Sequence, residues 1–392
     1  MYTPNLSEFQ KFSLERLLVT CFGAPASPKS YCVLIDLESA SDVVGLSFLQ
    51  NERCSVQQTA YNLFYEPLNS TLKDSLLVER CDFLSFNQTG GSNLDPDDQL
   101  IDMDGNELSF KRDLSRYDII LALTDYSLTA PLTALAKKQN FRGATLHGLN
   151  EIILNSGLSV DYKFVSKQAE SLRLVLDNAD SFTITFECLG ESFSLEIGCG
   201  KQTAQKSHGL CPEGSPDIAN LPAGEVYFVP NNASGSFPFR FADGTIAQMD
   251  VRDGSIFQTN LLCGSKDLLE ARNLQLSQDP ATGVIGELGF GTQLLPFSGK
   301  DIQDEKIFGT CHIATGRSDH LGGHLVPELF ACRQNASHDD ILFAPPKTPE
   351  IDVSKVTMLK DNTSEDIFKS FKPTQFLLSQ LQEFYPVDKL GN

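Results

Sequence analysis

Two short stretches constrain the fold of this chain more than anything else in it. Tyr31 to Asp36 (YCVLID) and Tyr117 to Leu123 (YDIILAL) are nearly unbroken apolar runs rather than alternating ones. A strand with one wet face alternates with period two, so a solid run marks a strand covered on both faces, as in a parallel sheet lined by helices. The second run is followed by Thr124-Asp125-Tyr126-Ser127 and then by Leu128 to Lys138 (LTAPLTALAKK), whose pattern predicts a helix. A short strand around Ala144-Thr145-Leu146 completes a βαβ unit. The acidic stretch from Asp95 to Gly105 lacks the spacing and closing Glu of an EF-hand, so a solvated loop is expected there.

The chain has 392 residues, more than one hydrophobic core usually supports, and the pattern changes near Ser156 to Ser159. An amphipathic helix is predicted over 161–177. Phe182 to Glu187 and Ser192 to Ile197 then alternate about a short turn, the signature of a β-hairpin. From there to about 345 the text is rich in strands and glycine. A strand-like piece (Glu350 to Leu359) and a helix (Pro373 to Glu383) close the chain. The expected architecture is an α/β N-terminal domain with a parallel sheet (1–158), followed by an α+β C-terminal metal-binding domain that includes the terminal strand and helix (159–392). No period of 20 to 50 residues repeats.

The formal net charge of −20, with no basic run interleaved with aromatics, excludes nucleic acid as a natural partner. No stretch approaches the ~18 consecutive apolar residues that a membrane-spanning helix needs. The start of the chain lacks the basic and apolar parts of a signal peptide, which predicts a cytoplasmic protein. The ten cysteines include no CxxC pair and read as buried free thiols.

Histidine carries the functional signal. Four of the six histidines fall between His312 and His338, bracketed by Asp304-Glu305 and Asp339-Asp340. Four segments place carboxylates or imidazoles next to strand-compatible sequence: Leu221 to Val226 (LPAGEV), Gly286 to Gly291 (GELGFG), Asp304 to Ala314 (DEKIFGTCHIA) and Ser337 to Ile341 (SHDDI). A buried Glu between Gly and Val is costly unless it is paired or bound to metal. Residues two apart on a strand face the same side, so His338 and Asp340 reach one point while Asp339 turns away. Glu225, Glu287, Glu305, His312, His338 and Asp340 are too many ligands for one zinc and suit two divalent ions sharing a carboxylate. Singly, Glu225 and Glu287 also fit ion-paired strand residues, and His312 a core histidine. His320 and His324, in a glycine-rich loop, are expected to be exposed, near substrate at most. His147 and His208 read as structural or surface residues.

The four segments, in this order, resemble the thermophilic metallo-aminopeptidases of the aminopeptidase T type, which carry PAGEV-like, GE-x-G-x-G, DE followed by H-x-A-x-G, and H-x-D motifs. The likeness runs from about Asp118 to Phe343. It implies a cytoplasmic homodimeric exopeptidase that removes N-terminal residues from peptides. Two divalent ions, zinc or cobalt, would be held by Glu225, Glu287, Glu305, His312, His338 and Asp340, with Glu287 bridging and Glu287 or Glu305 taking a proton from the attacking water. The chain departs from the pattern at Asp319, where the family has a tyrosine that stabilises the tetrahedral intermediate; Arg317 or His320 is the candidate replacement. Two extra residues also separate Glu305 from His312. Bacterial dihydroxypyridine dioxygenases are similar to this family, which makes a mononuclear iron ring-cleaving enzyme the alternative. A metal-binding descendant without catalysis is the third expectation.

Overall fold

In the computed structural model, which describes residues 2–381 and 383–385, the two apolar runs lie side by side. Strands β1 (Lys29–Leu37), β2 (Val78–Asn87), β3 (Gln99–Asp102), β4 (Glu107–Ser109), β5 (Ile119–Thr124) and β6 (Arg142–His147) join a late strand, Ile218–Asn220, in one seven-stranded sheet. Its order is the 218–220 strand, β6, β5, β1, β2, β3, β4. The pairs from the 218–220 strand through β2 are parallel and the β3–β4 edge is antiparallel. Every residue of β5 is buried, as are all of β1 after its first residue. Each Val, Leu or Ile so buried contributes about 1.5–3 kcal/mol, which is why these runs carry no alternation.

The predicted helix after β5 is Thr129–Gln139. Asn93, from a distant loop, accepts the Ala130 N–H at 2.8 Å and so caps its first turn. Asn140 ends it in the left-handed conformation, after Lys137 and Lys138 in the last turn. The acidic stretch is not an open loop. β3 and β4 form a hairpin there, and the Asp102 carboxylate accepts the N–H groups of Asp104 and Asn106 at 3.0 and 2.8 Å to close its turn.

A single cut at 158/159 does not describe the division of the chain. One compact unit comprises Asn5–Ser166 together with His208–Ala223, because the returning segment supplies the 218–220 strand to the parallel sheet. The other contains Lys167–Ser207 and the chain from Gly224 onward, so the division falls within the helix Tyr162–Leu176.

The second unit holds two antiparallel sheets. The predicted hairpin appears as Ser181–Cys188 and Glu191–Gly198, joined by Leu189 and Gly190, both at positive φ as a two-residue primed turn requires. It lies within an eight-stranded sheet that also contains the predicted strand Ile351–Lys360. The five-stranded sheet runs, in order, His338–Phe343, Cys311–Gly316, Ile285–Gly291, Glu225–Phe228 and Gln205–Ser207. One face of it packs on the larger sheet. Phe182 meets Phe228 and Phe290 at ring distances of 5.2 and 5.3 Å, and Phe186 meets Phe343 at 4.8 Å. The closing helix is Gln375–Leu381, shorter at both ends than predicted.

All ten cysteines are free; Cys54 is half-buried and Cys263 and Cys332 are exposed, while the other seven are buried as expected. Among the described residues no helix is long and apolar enough to cross a membrane.

Candidate metal centre

The packing of the five-stranded sheet dictates where its polar side chains go. Val226, Phe228, Leu288, Phe290, Ile313 and Phe343 all enter the core between the sheets. With a side-chain period of two, Glu225, Glu287, His312, His338 and Asp340 must then share the opposite face. Register brings them together across the strands. Glu287 lies opposite Ala314, and Ala314 opposite Asp340, so a small residue separates two carboxylates. His312 lies opposite Gly289, where an added Cβ would stand 2.1 Å from the imidazole Cε1. The ring occupies the space that any other side chain would take.

The six side chains expected to hold metal lie in overlapping threes rather than about one point. Glu287 sits between the two imidazoles, with Oε1 3.5 Å from His312 Nε2 and Oε2 3.0 Å from His338 Nε2. Asp340 Oδ1 is 3.4 Å from the same His338 nitrogen. Three overlapping groups have ligand atoms within 4.8 Å of one another: Glu225, Glu287 and His312; Glu287, His338 and Asp340; Glu305, His312 and Asp340. Glu225, Glu287, Glu305, His312 and His338 are buried, and the Asp340 side chain is 31% exposed.

The donor set fits a cation. His338 Nδ1 lies 2.6 Å from the Arg317 carbonyl oxygen, which can only accept, so that nitrogen carries the proton. In a neutral ring Nε2 is then a bare lone pair, and it faces two carboxylates. Such an arrangement calls for a metal ion or a second proton, and an imidazole oriented through a backbone carbonyl is the usual support of a metal ligand. His312 Nδ1 is buried without a hydrogen-bond partner. Without metal, burial opposes charge on His312, but Glu287 and the other carboxylates outweigh it and raise its pKa to about 9. Burial opposes the charge of Glu287 as well, and the two histidines reverse that effect and hold it below the usual carboxylate range. Glu305 is pushed up to about 8 by burial, against the pull of Lys306.

Lys306 is the residue that sequence reasoning passed over. Its side chain is 1% exposed, and Nζ lies 2.7 Å from Glu225 and 2.6 Å from Glu305. Burial penalises its charge, but the two carboxylates more than compensate, and its pKa lies above the ordinary lysine value. Two of the six expected metal ligands therefore already hold a cation. The available signal was a lone basic residue between Glu305 and the apolar Ile307-Phe308.

Asp319 serves a different partner from the one expected of the tyrosine it replaces. Its carboxylate receives Arg317 Nε at 2.7 Å. Burial would raise Asp319, yet His320 and Arg317 keep it below the usual range, so it is an anion with no proton to donate. His320 is not exposed. Its side chain is 6% accessible, its ring packs edge-on against His338 at 4.9 Å, and burial lowers its pKa. His324 is exposed.

No protein-family model matches the chain, and no curated protein sequence does. Among solved structures the chain is similar to 2,5-dihydroxypyridine dioxygenase from Pseudomonas putida KT2440, with a TM-score of 0.56 and 14% identity over 88% of this chain and 92% of that one. At that identity the likeness is one of fold: a mixed α/β architecture with a sheet containing parallel strands.

Proposed function

We propose that the chain is a mononuclear metal-dependent oxygenase that opens the ring of a dihydroxylated aromatic or heteroaromatic substrate, with one iron(II) held by His312, His338, Asp340 and Glu287. The observation that carries this reading is Lys306. By binding Glu225 and Glu305 it supplies the second positive charge that a two-metal site would otherwise need, leaving two imidazoles and two carboxylates for a single ion. Two histidines and a carboxylate with open positions suit iron(II) that activates oxygen. The structural likeness to a dihydroxypyridine dioxygenase supports the same choice of chemistry. Iron bound there would supply the electron exchange between oxygen and an electron-rich diol that organic side chains cannot provide.

The chain's own groups have definable tasks. The Arg317 carbonyl fixes the His338 tautomer, so its Nε2 lone pair is turned toward Glu287 and Asp340. Ala314 and Gly289 form a low floor that lets Glu287, Asp340 and His312 approach. The Lys306 ammonium lies against the buried Glu225 and Glu305 carboxyls and offsets one negative charge there without occupying a coordination position. The two-metal aminopeptidase reading would use all six side chains, which lie in three overlapping groups of three. It lacks an oxyanion donor at Asp319, which is anionic and tied to Arg317.

The test is oxygen uptake by the iron-reconstituted protein with 2,5-dihydroxypyridine and catechol as probes, beside a peptide-cleavage assay. Uptake that requires both iron and diol supports the proposal. Amide hydrolysis under strictly anaerobic conditions, with no diol-dependent uptake, overturns it.

A further inference from the structure

The segment after Arg317 folds back onto the metal centre and carries a histidine to which the iron site assigns no task. Ser318 to Gly323 form a tight turn, in which the Ser318 carbonyl accepts the N–H groups of Leu321 and Gly323 at 3.0 and 2.9 Å. The Ser318 N–H donates to the Leu325 carbonyl at 3.0 Å. Gly322 sits at φ +88°, which costs a glycine nothing. Gln205, on the edge strand of the five-stranded sheet, ties the turn down. Its Nε2 donates to the Leu321 carbonyl at 2.9 Å, and its Oε1 accepts the Tyr227 hydroxyl at 3.4 Å. The turn is thus anchored to the sheet that carries the candidate ligands, and it delivers His320 to them.

His320 lies edge-on against His338, with ring centres 4.9 Å apart, and its side chain is 6% accessible. Its Nδ1 faces Asp319 Oδ1 at 3.9 Å, beyond hydrogen-bond reach, and this nitrogen is buried without a partner. Asp319 is an anion held by Arg317. A lone pair turned toward that anion would be repelled, so the proton belongs on Nδ1 and the lone pair on Nε2. Because Nδ1 is buried, the accessible part of the side chain lies elsewhere on it. Nε2, across the ring from Asp319, is the polar atom left to meet a ligand. Asp340, with its side chain 31% exposed, marks the open side of the centre, and it reaches the same His338 that His320 packs against. A molecule entering from that side meets the ion beside the two rings.

We propose that His320 Nε2 accepts a hydrogen bond from one of the two ring hydroxyls of the substrate, an inference that takes its substrate class from the ring-opening reading. A bare acceptor binds an O–H group and offers nothing to a ring hydrogen, so the contact selects dihydroxylated rings over monohydroxylated ones. Asp319, fixed by Arg317, orients the acceptor, and Gln205 holds the turn that carries it.

Anaerobic isothermal titration of the iron(II)-loaded protein with catechol, and with phenol, which lacks the second hydroxyl, tests it. The quantity read is the ratio of the phenol to the catechol dissociation constant. That ratio should fall about fivefold in His320→Leu and recover in His320→Gln, whose amide oxygen reaches about as far as Nε2. A purely structural effect on His338 would weaken both probes alike and leave the ratio unmoved. Circular dichroism and elemental analysis establish that each variant is folded and keeps its metal. Should His320→Leu lose its metal, Gln205→Leu, which frees the turn without touching a candidate ligand, is read in its place and should lower the ratio in the same direction. An unchanged ratio in folded, metal-loaded variants, or no saturable binding of catechol by the wild type up to about 10 mM, overturns the inference. Oxygen takes no part in the titration. A wild type that binds catechol through His320, yet takes up no oxygen with a diol, would sink the ring-opening reading and leave this contact standing.

Discussion

Replacing Lys306 by Met separates the roles assigned to the buried charges most sharply. Methionine has nearly the volume of the lysine stem, so the main change is loss of the ammonium that lies 2.7 Å from Glu225 and 2.6 Å from Glu305. Both carboxylates remain buried without their partner. Breaking a buried ion pair from one side costs about 3–5 kcal/mol. With about 2–4 °C lost per kcal/mol for a unit of this size, the melting temperature should fall by roughly 6–20 °C. Glu305, pushed up by burial against the pull of Lys306, would then lie further above its unfolded pKa. Such a group favours the folded state only while protonated, so the deficit should grow as pH rises beyond about 8, where the wild-type carboxyl titrates. Excess zinc or manganese should restore stability by filling the vacated position, raising the metal content from one ion to two. Differential scanning calorimetry with and without metal, paired with elemental analysis, reads both effects. A Lys306→Met protein as stable as wild type, with unchanged stoichiometry, would refute the account of Lys306 as the resident second cation.

Other perturbations have equally definite outcomes. Gly289→Ala places a Cβ 2.1 Å from the His312 ring and should displace it; metal affinity is expected to drop roughly 10–100-fold with the fold retained, and full metal loading by mass spectrometry would contradict this. Asp340→Asn should likewise weaken metal binding by about 10–100-fold while leaving thermal stability of the metal-free protein within about 1 kcal/mol, because this side chain is 31% exposed and can hydrate. Asp36 is raised by burial from 3.8 to about 6, so the folded state prefers its neutral form. Its contribution is fully present below about pH 4 and is lost as pH rises through 6, a change on the order of 3 kcal/mol that Asp36→Asn should remove from the urea-denaturation profile.

The elements with a clean periodicity were legible in the amino-acid sequence. The solid runs at Tyr31 and Tyr117 became adjacent parallel strands, and the alternation about Leu189-Gly190 became a hairpin. His338 and Asp340 fall on one face for the same reason, since spacing by two survives any tertiary arrangement. What needed three dimensions was the identity of partners. Nothing local to Lys306 says that Glu225, some eighty residues earlier, will meet its ammonium. The glycine-rich sequence around His320 reads as open loop, yet the ring is packed against His338. The return of 218–220 to the first sheet was equally hidden, because a three-residue strand carries no period. Asp36 closes the apolar run YCVLID. Its partners Gln57, Gln88 and Asp125 are set by topology rather than by spacing.

The central claim is that one metal ion and one ammonium share this cluster. The most direct test is metal stoichiometry of protein purified anaerobically and reconstituted with excess iron(II) or zinc, measured as atoms per chain. One ion per chain is predicted for either metal while Lys306 is present. Two ions per wild-type chain would contradict the account and return the cluster to the dinuclear reading.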